Sequence, residues 1–129
     1  MPGISLSEFQ DRRSAFVTSL LTKSTQDSEN HLVIIPAAPQ AYMSQKVPYV
    51  YRQNSDFLYL TGCLEPDSVL VLNISKSASN HRATLFVRER SAHSELWDGP
   101  RTGISISPSL RKYFLNVIRS LQCNVHTLL

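Results

Sequence analysis

Long apolar runs are missing from this chain of 129 residues, and none approaches the roughly 20 consecutive apolar residues that cross a bilayer. The amino-terminal stretch MPGISLSEF lacks the basic region and apolar core of a secretory signal. It is also acidic for a mitochondrial presequence, although Arg12, Arg13 and the neighbouring serines leave that address open. Cysteine is scarce as well: Cys63 and Cys123 are too few and too distant for a disulfide framework. Cys63 stands among apolar residues, where a thiol behaves as a small hydrophobe. The expected compartment is therefore reducing and intracellular, either cytoplasmic or mitochondrial.

A dense basic stripe is absent too. The formal net charge is +3, with 13 Lys and Arg dispersed among 10 Asp and Glu. The longest basic clusters are Arg12-Arg13 and Arg111-Lys112, which is not the electrostatic footprint of a nucleic-acid binder. Local catalytic motifs are equally missing: there is no HExxH, CxxC, GxSxG, P-loop or GxGxxG pattern. His31, His81, His93 and His126 are isolated. His93-Ser94-Glu95 would put a His and a Glu on one face of a strand, but ordinary surface polarity explains the pair more cheaply than a metal. No catalytic residue and no metal ligand is assigned from these patterns.

What remains is the composition of one ordinary globular domain, 42% hydrophobic and 18% charged. Ser7-Glu8-Phe9-Gln10 has capping-box spacing and predicts the start of a helix. Phe9, Phe16 and Leu20 form its apolar stripe, with Arg12, Arg13 and Lys23 elsewhere, and Ser24 to Asn30 end it as a loop. Leu32 to Ile35 reads as a strand buried on both faces, and the prolines at 36, 39 and 48 make residues 36 to 50 a long loop or extended connection. Phe57 to Thr61, Ser68 to Ser75 and Ala83 to Arg88 read as three strands of a meander. Ser107-Pro108-Ser109 would cap a helix running to about Leu121 on the spacing of Leu110, Phe114, Val117, Ile118 and Leu121. The fold class is α/β.

Two segments are distinctive. Arg52-Gln53-Asn54-Ser55-Asp56 places five polar residues directly before an apolar stretch, and local turn bonding by Asn54, Ser55 and Asp56 accounts for them structurally. Arg52 would pair with Asp56 or brace a loop carbonyl. The second is ELWDGPRTG, residues 95 to 103, where the single Trp stands in a loop bounded by Gly and Pro. Trp97 there either caps the core or meets another subunit, since Trp and Arg are enriched at interface centres.

Taken in order, YRQNSDFLYLTGCLEPDSVLVL, LFVRER and ELWDGPRTG resemble the N-terminal domain of the aminopeptidase P family, in its Xaa-Pro aminopeptidase 3 branch, and EFQDRR of the first helix belongs to the same pattern. The resemblance covers residues 8 to 103, and residues 104 to 129 diverge from it. It implies a single domain over residues 1 to 129 of the creatinase N-terminal type, a mixed sheet flanked by helices with ribonuclease H-like topology. It also implies a catalytic domain elsewhere, in which two Asp, one His and two Glu hold a dinuclear manganese centre. None of those five ligands has a counterpart here, so no cofactor is expected in this chain and no peptidase activity from it alone.

The resemblance further implies homo-oligomers, or contacts with a catalytic domain or full-length subunits, with no role for nucleic acid or membrane. Trp97 would contact substrate in trans, and Asp98 or Arg101 would order its loop. Tyr51, Arg52, Gln53, Asn54, Ser55 and Asp56 would form a structural motif. Lys46 departs from the pattern, standing where relatives often place an acidic residue near the substrate amine. A second reading has the chain as a stand-alone or truncated regulatory partner of full-length subunits.

Overall fold

A computed structural model describes residues 3–24, 30–75, 80–88, 92, 95–96 and 116–119. Helix α1 spans Leu6–Lys23, strand β1 Asn30–Pro36, the short strands β2 and β3 Tyr42–Ser44 and Val47–Pro48, and helix α2 Ser55–Thr61. Strands β4, β5 and β6 follow at Val69–Ser75, Asn80–Val87 and Asn116–Arg119. Four strands form one mixed sheet in the order β1-β4-β5-β6, antiparallel except for the parallel pair of β5 and β6. The expected α/β class, a mixed sheet with helices, is what the chain adopts.

The cap of helix α1 lies two residues before the expected one. Ser5 is the N-cap, and its Oγ accepts from the Glu8 amide at 3.4 Å. Ser5-Leu6-Ser7-Glu8 carries the same capping spacing as the Ser7 frame, so the sequence offers both and the earlier one wins. The buried stripe is Phe9, Arg13 and Val17, at intervals of four, which corrects the placement of Arg13 on the outer face. Its guanidinium survives burial because Nη1 donates to the Leu60 carbonyl at 2.8 Å.

The core lies between α1, α2 and one face of the sheet. Leu70, Leu72 and Ile74 of β4 and Ala83, Leu85 and Val87 of β5 point into it, with Val17, Phe57 and Leu60 from the helices. Each large apolar side chain buried this way contributes about 1.5–3 kcal/mol before entropy is counted. Strand β4 alternates along its length, as a strand with one packed face must.

Three other expectations fail. Strand β1 is packed on one face only: Val33 and Ile35 meet the core, while Leu32 and Ile34 are 63% and 60% exposed. Within residues 36–50, expected as a connection, β2 and β3 pair as a hairpin. Residues 57–61 form α2 rather than a strand. Phe57, Leu60 and Thr61 are buried at helical spacing, Asp56 sits in the first turn, and Gly62 closes the helix in the left-handed region at φ 68°. The aromatic and branched composition suggested a strand, and the end signals outweigh it.

The carboxy-terminal helix is also corrected, because Asn116–Arg119 is a strand paired with Thr84–Val87. Residues 107–109, Leu110, Phe114 and Leu121 lie outside the described residues.

Candidate functional site

The polar segment before α2 ties three parts of the chain together. Gln53 Oε1 accepts from the amides of Ala38 at 2.8 Å and Asn54 at 3.0 Å, while its Nε2 donates to the carbonyls of Cys63 and Glu65 at 3.3 and 3.1 Å. One amide side chain thus uses both donor and acceptor ends to fasten the segment after β1 to the turn before β4. Tyr51 Oη donates to the Ala38 carbonyl at 3.0 Å, and Asn54 Nδ2 donates to the Pro36 carbonyl at 3.3 Å. Asn54 occupies the N-cap of α2 but spends its side chain on Pro36 rather than on the helix.

Ser55 and Asp56 are exposed in the first turn of α2. Arg52 is exposed too, and among the described residues no ion pair joins it to Asp56. At the far end of the helix Thr61 Oγ1 donates to the Phe57 carbonyl at 2.7 Å and accepts from the Cys63 amide at 3.0 Å.

Electrostatics around this knot favours neutral groups. Burial, with the negative character of Cys63 and Asp67 nearby, pushes the Tyr51 phenol up to about 12. Burial likewise pushes the Cys63 thiol up to about 11, so it is an inert thiol at neutral pH rather than a nucleophile. Among the described residues no three His, Cys, Asp or Glu side chains are grouped to hold a metal ion, and a dinuclear manganese centre does not fit what these residues offer. No helix of the described residues is long and apolar enough to cross a membrane.

On the other side of α2, a groove of about 450 Å³ opens between the two helices and β1. Phe16, Ile35, Tyr59 and Leu60 line it, with Arg12 and Asp56 as its charged members. Arg12 is held from several directions: it pairs with Glu8, donates to the Tyr59 carbonyl at 3.3 Å, and lies over the rings of Phe9 and Tyr59 at 5.1 and 4.5 Å. Spacing alone could have found the Glu8–Arg12 pair, at i and i+4, but nothing local signals the contact with Tyr59.

The hairpin of β2 and β3 carries a second exposed surface. Tyr42, Met43, Val47, Tyr49 and Val50 are all exposed, Val50 by 90%, and Lys46 lies in the turn. Trp97, Asp98 and Arg101 lie outside the described residues. Glu95 and Leu96 just before them are helical, with Leu96 exposed.

The α/β architecture carries this knotted segment, and among the described residues no metal-ligating side chains are grouped and the Cys63 thiol is not activated. Residues 9–110 match the family model described as "Aminopeptidase P, N-terminal domain", and the chain belongs to that family. Over 106 residues it is 42% identical to Xaa-Pro aminopeptidase 3 of Mus musculus and of Homo sapiens, covering 79% of this chain and 21% of each relative. Over 108 residues it is 43% identical to Xaa-Pro aminopeptidase of Escherichia coli, covering 84% of this chain and 23% of that protein.

Among solved structures, a variant of Escherichia coli aminopeptidase P in complex with substrate superposes with a TM-score of 0.70 at 37% identity, over 88% of this chain and 24% of that one. The chain therefore spans about a fifth of the length of the curated relatives it matches.

Proposed function

We propose that this chain serves as the non-catalytic N-terminal domain of a manganese-dependent Xaa-Pro aminopeptidase, helping to assemble its oligomer and to wall its substrate cleft. The observation that carries this reading is the asymmetry of the match: 79% of this chain corresponds to only 21% of the Xaa-Pro aminopeptidase 3 sequences. The hairpin supports it, since five exposed apolar side chains within ten residues are surface that a larger assembly would cover. In this reading the metal ligands and the scissile peptide belong to the catalytic portion. Trp97 reaches the substrate of a neighbouring subunit, with Asp98 and Arg101 ordering its loop.

The test is a graft of residues 9–110 into the Escherichia coli enzyme in place of the corresponding segment. The chimera is expected to release the residue preceding proline from an Xaa-Pro peptide. Trp97→Ala in it is expected to lower kcat/KM at least about tenfold, or about 1.4 kcal/mol of transition-state binding, with bound manganese unchanged. Unchanged kinetics in the variant would remove Trp97 from the cleft. A folded, metal-loaded chimera without activity would contradict the assembly role.

A further inference from the structure

We propose that Gln40, Tyr51 and Gln53 are positioning residues that clamp both feet of the β2–β3 hairpin and fix the direction in which it meets the catalytic portion of the peptidase. This rests on the function proposed above and deepens it.

The hairpin has little of its own to hold it. Residues 41–50 are exposed one after another, so packing on the core does not set its direction. Two residue pairs tie β2 to β3, Tyr42↔Pro48 and Ser44↔Val47, with the register broken between them, and Pro48 has no N–H to give. A two-stranded hairpin of this size is marginal in water. Its direction therefore comes from its base.

At the base, side chains supply the ties. Gln40 Nε2 donates across to the Tyr49 carbonyl at 3.0 Å and to the Ala41 carbonyl at 3.1 Å, and the Tyr49 amide donates to the Ala41 carbonyl at 2.9 Å. Ala38, just before the hairpin, is held from three directions. Its amide donates to Gln53 Oε1 at 2.8 Å, and its carbonyl accepts from Tyr51 Oη at 3.0 Å and from the Asp67 amide at 3.3 Å. Gln53 is anchored in turn to the carbonyls of Cys63 and Glu65. The outgoing foot is thus fixed at Ala38 and the returning foot at Tyr51, with Gln40 joining them.

Gln40 bonds exposed backbone carbonyls that water would satisfy about as well, so it adds little to folding. What it adds is a single direction for an arm that carries Tyr42, Met43, Val47, Tyr49 and Val50 on its surface. Side chains held in place before a contact forms lower the ordering cost of that contact. The occupant is the catalytic portion, because this chain corresponds to 21% of Xaa-Pro aminopeptidase 3 and most of the surface such an arm could meet lies in the rest. An untied arm populates other directions, and apparent substrate affinity falls by the fraction lost, whereas a saturated cleft keeps the arm in place. The signature is a change in KM rather than kcat.

The chimera carrying residues 9–110 provides the kinetic test. Gln40→Ala is expected to raise KM for an Xaa-Pro peptide about fivefold, the equilibrium weight of one net hydrogen bond, with kcat, bound manganese and melting temperature unchanged. Gln40→Glu keeps the shape and loses the donor, so it should match. Tyr51→Phe, which keeps the ring and loses the hydroxyl, should move KM in the same direction. In the full 129-residue chain, amide NMR should show faster hydrogen exchange at Tyr49 in Gln40→Ala, with Leu72 in the core unchanged.

Unchanged KM in an active chimera overturns the proposal, as does a KM rise that comes with a lowered melting temperature, or Tyr49 exchange that ignores Gln40→Ala. Self-association of the chain that buries the hairpin would assign the arm to a second copy and overturn it too. A folded, metal-loaded but inactive unsubstituted chimera fails the function proposed above, and with it this role of the clamp, even where Tyr49 exchange responds.

Discussion

Gln53 concentrates more bonding than any other side chain in the polar segment, and its four partners are backbone groups from both sides of α2. Gln53→Ala removes the partner of those groups, three of them in part-buried contacts, and is expected to cost about 2–4 kcal/mol, read as a lower urea midpoint. Gln53→Glu keeps the acceptor but faces a carboxylate toward the Cys63 and Glu65 carbonyls, so it should not rescue. His81 provides the pH dependence. Its imidazole is held below the ordinary 6.5 first by burial and then by the positive charge of Arg13. The unfolded chain binds that proton more readily, so the contribution is complete above about pH 6.5 and is lost as pH falls below it. Urea midpoints measured at pH 7 and pH 5 should drop more for the natural chain than for His81→Gln.

At the scale of elements, the joint between α1 and α2 is tightly packed at Gly62. A Cβ placed on Gly62 would stand 2.6 Å from the Phe9 ring, at a residue whose φ of 68° already disfavours a side chain. Gly62→Ala is expected to destabilise by roughly 1–3 kcal/mol from overpacking, with about 1 kcal/mol more for the backbone, measurable by thermal or chemical denaturation.

This is also the scale at which the sequence was unevenly legible. Strands β4 and β5 show in the branched aliphatic and aromatic composition of their own residues, and most of α1 shows in its capping and apolar spacing. Helix α2 does not, because seven residues hold too few turns for periodicity to outweigh a strand-like composition. Strand β6 carries apolar spacing that fits a helix equally well, and its pairing with β5 is a tertiary fact. Arg13 shows why side-chain type misleads, since a charged residue entered the buried stripe once the Leu60 carbonyl was there to receive it.

At the scale of the molecule, the family was readable from three runs of residues, YRQNSDFLYLTG above all, because Tyr51, Gln53 and Asn54 make specific bonds that composition alone does not demand. The groove was not readable, because it is built from residues of α1, β1 and α2 that are distant in sequence.

The role proposed for this chain is that of a non-catalytic domain of a larger Xaa-Pro aminopeptidase. It is tested most directly by incubating purified residues 1–129 with an Xaa-Pro peptide and added manganese while following release of the first residue. No release above the uncatalysed rate is predicted. Turnover that scales with the concentration of the chain and disappears with chelator would contradict that role.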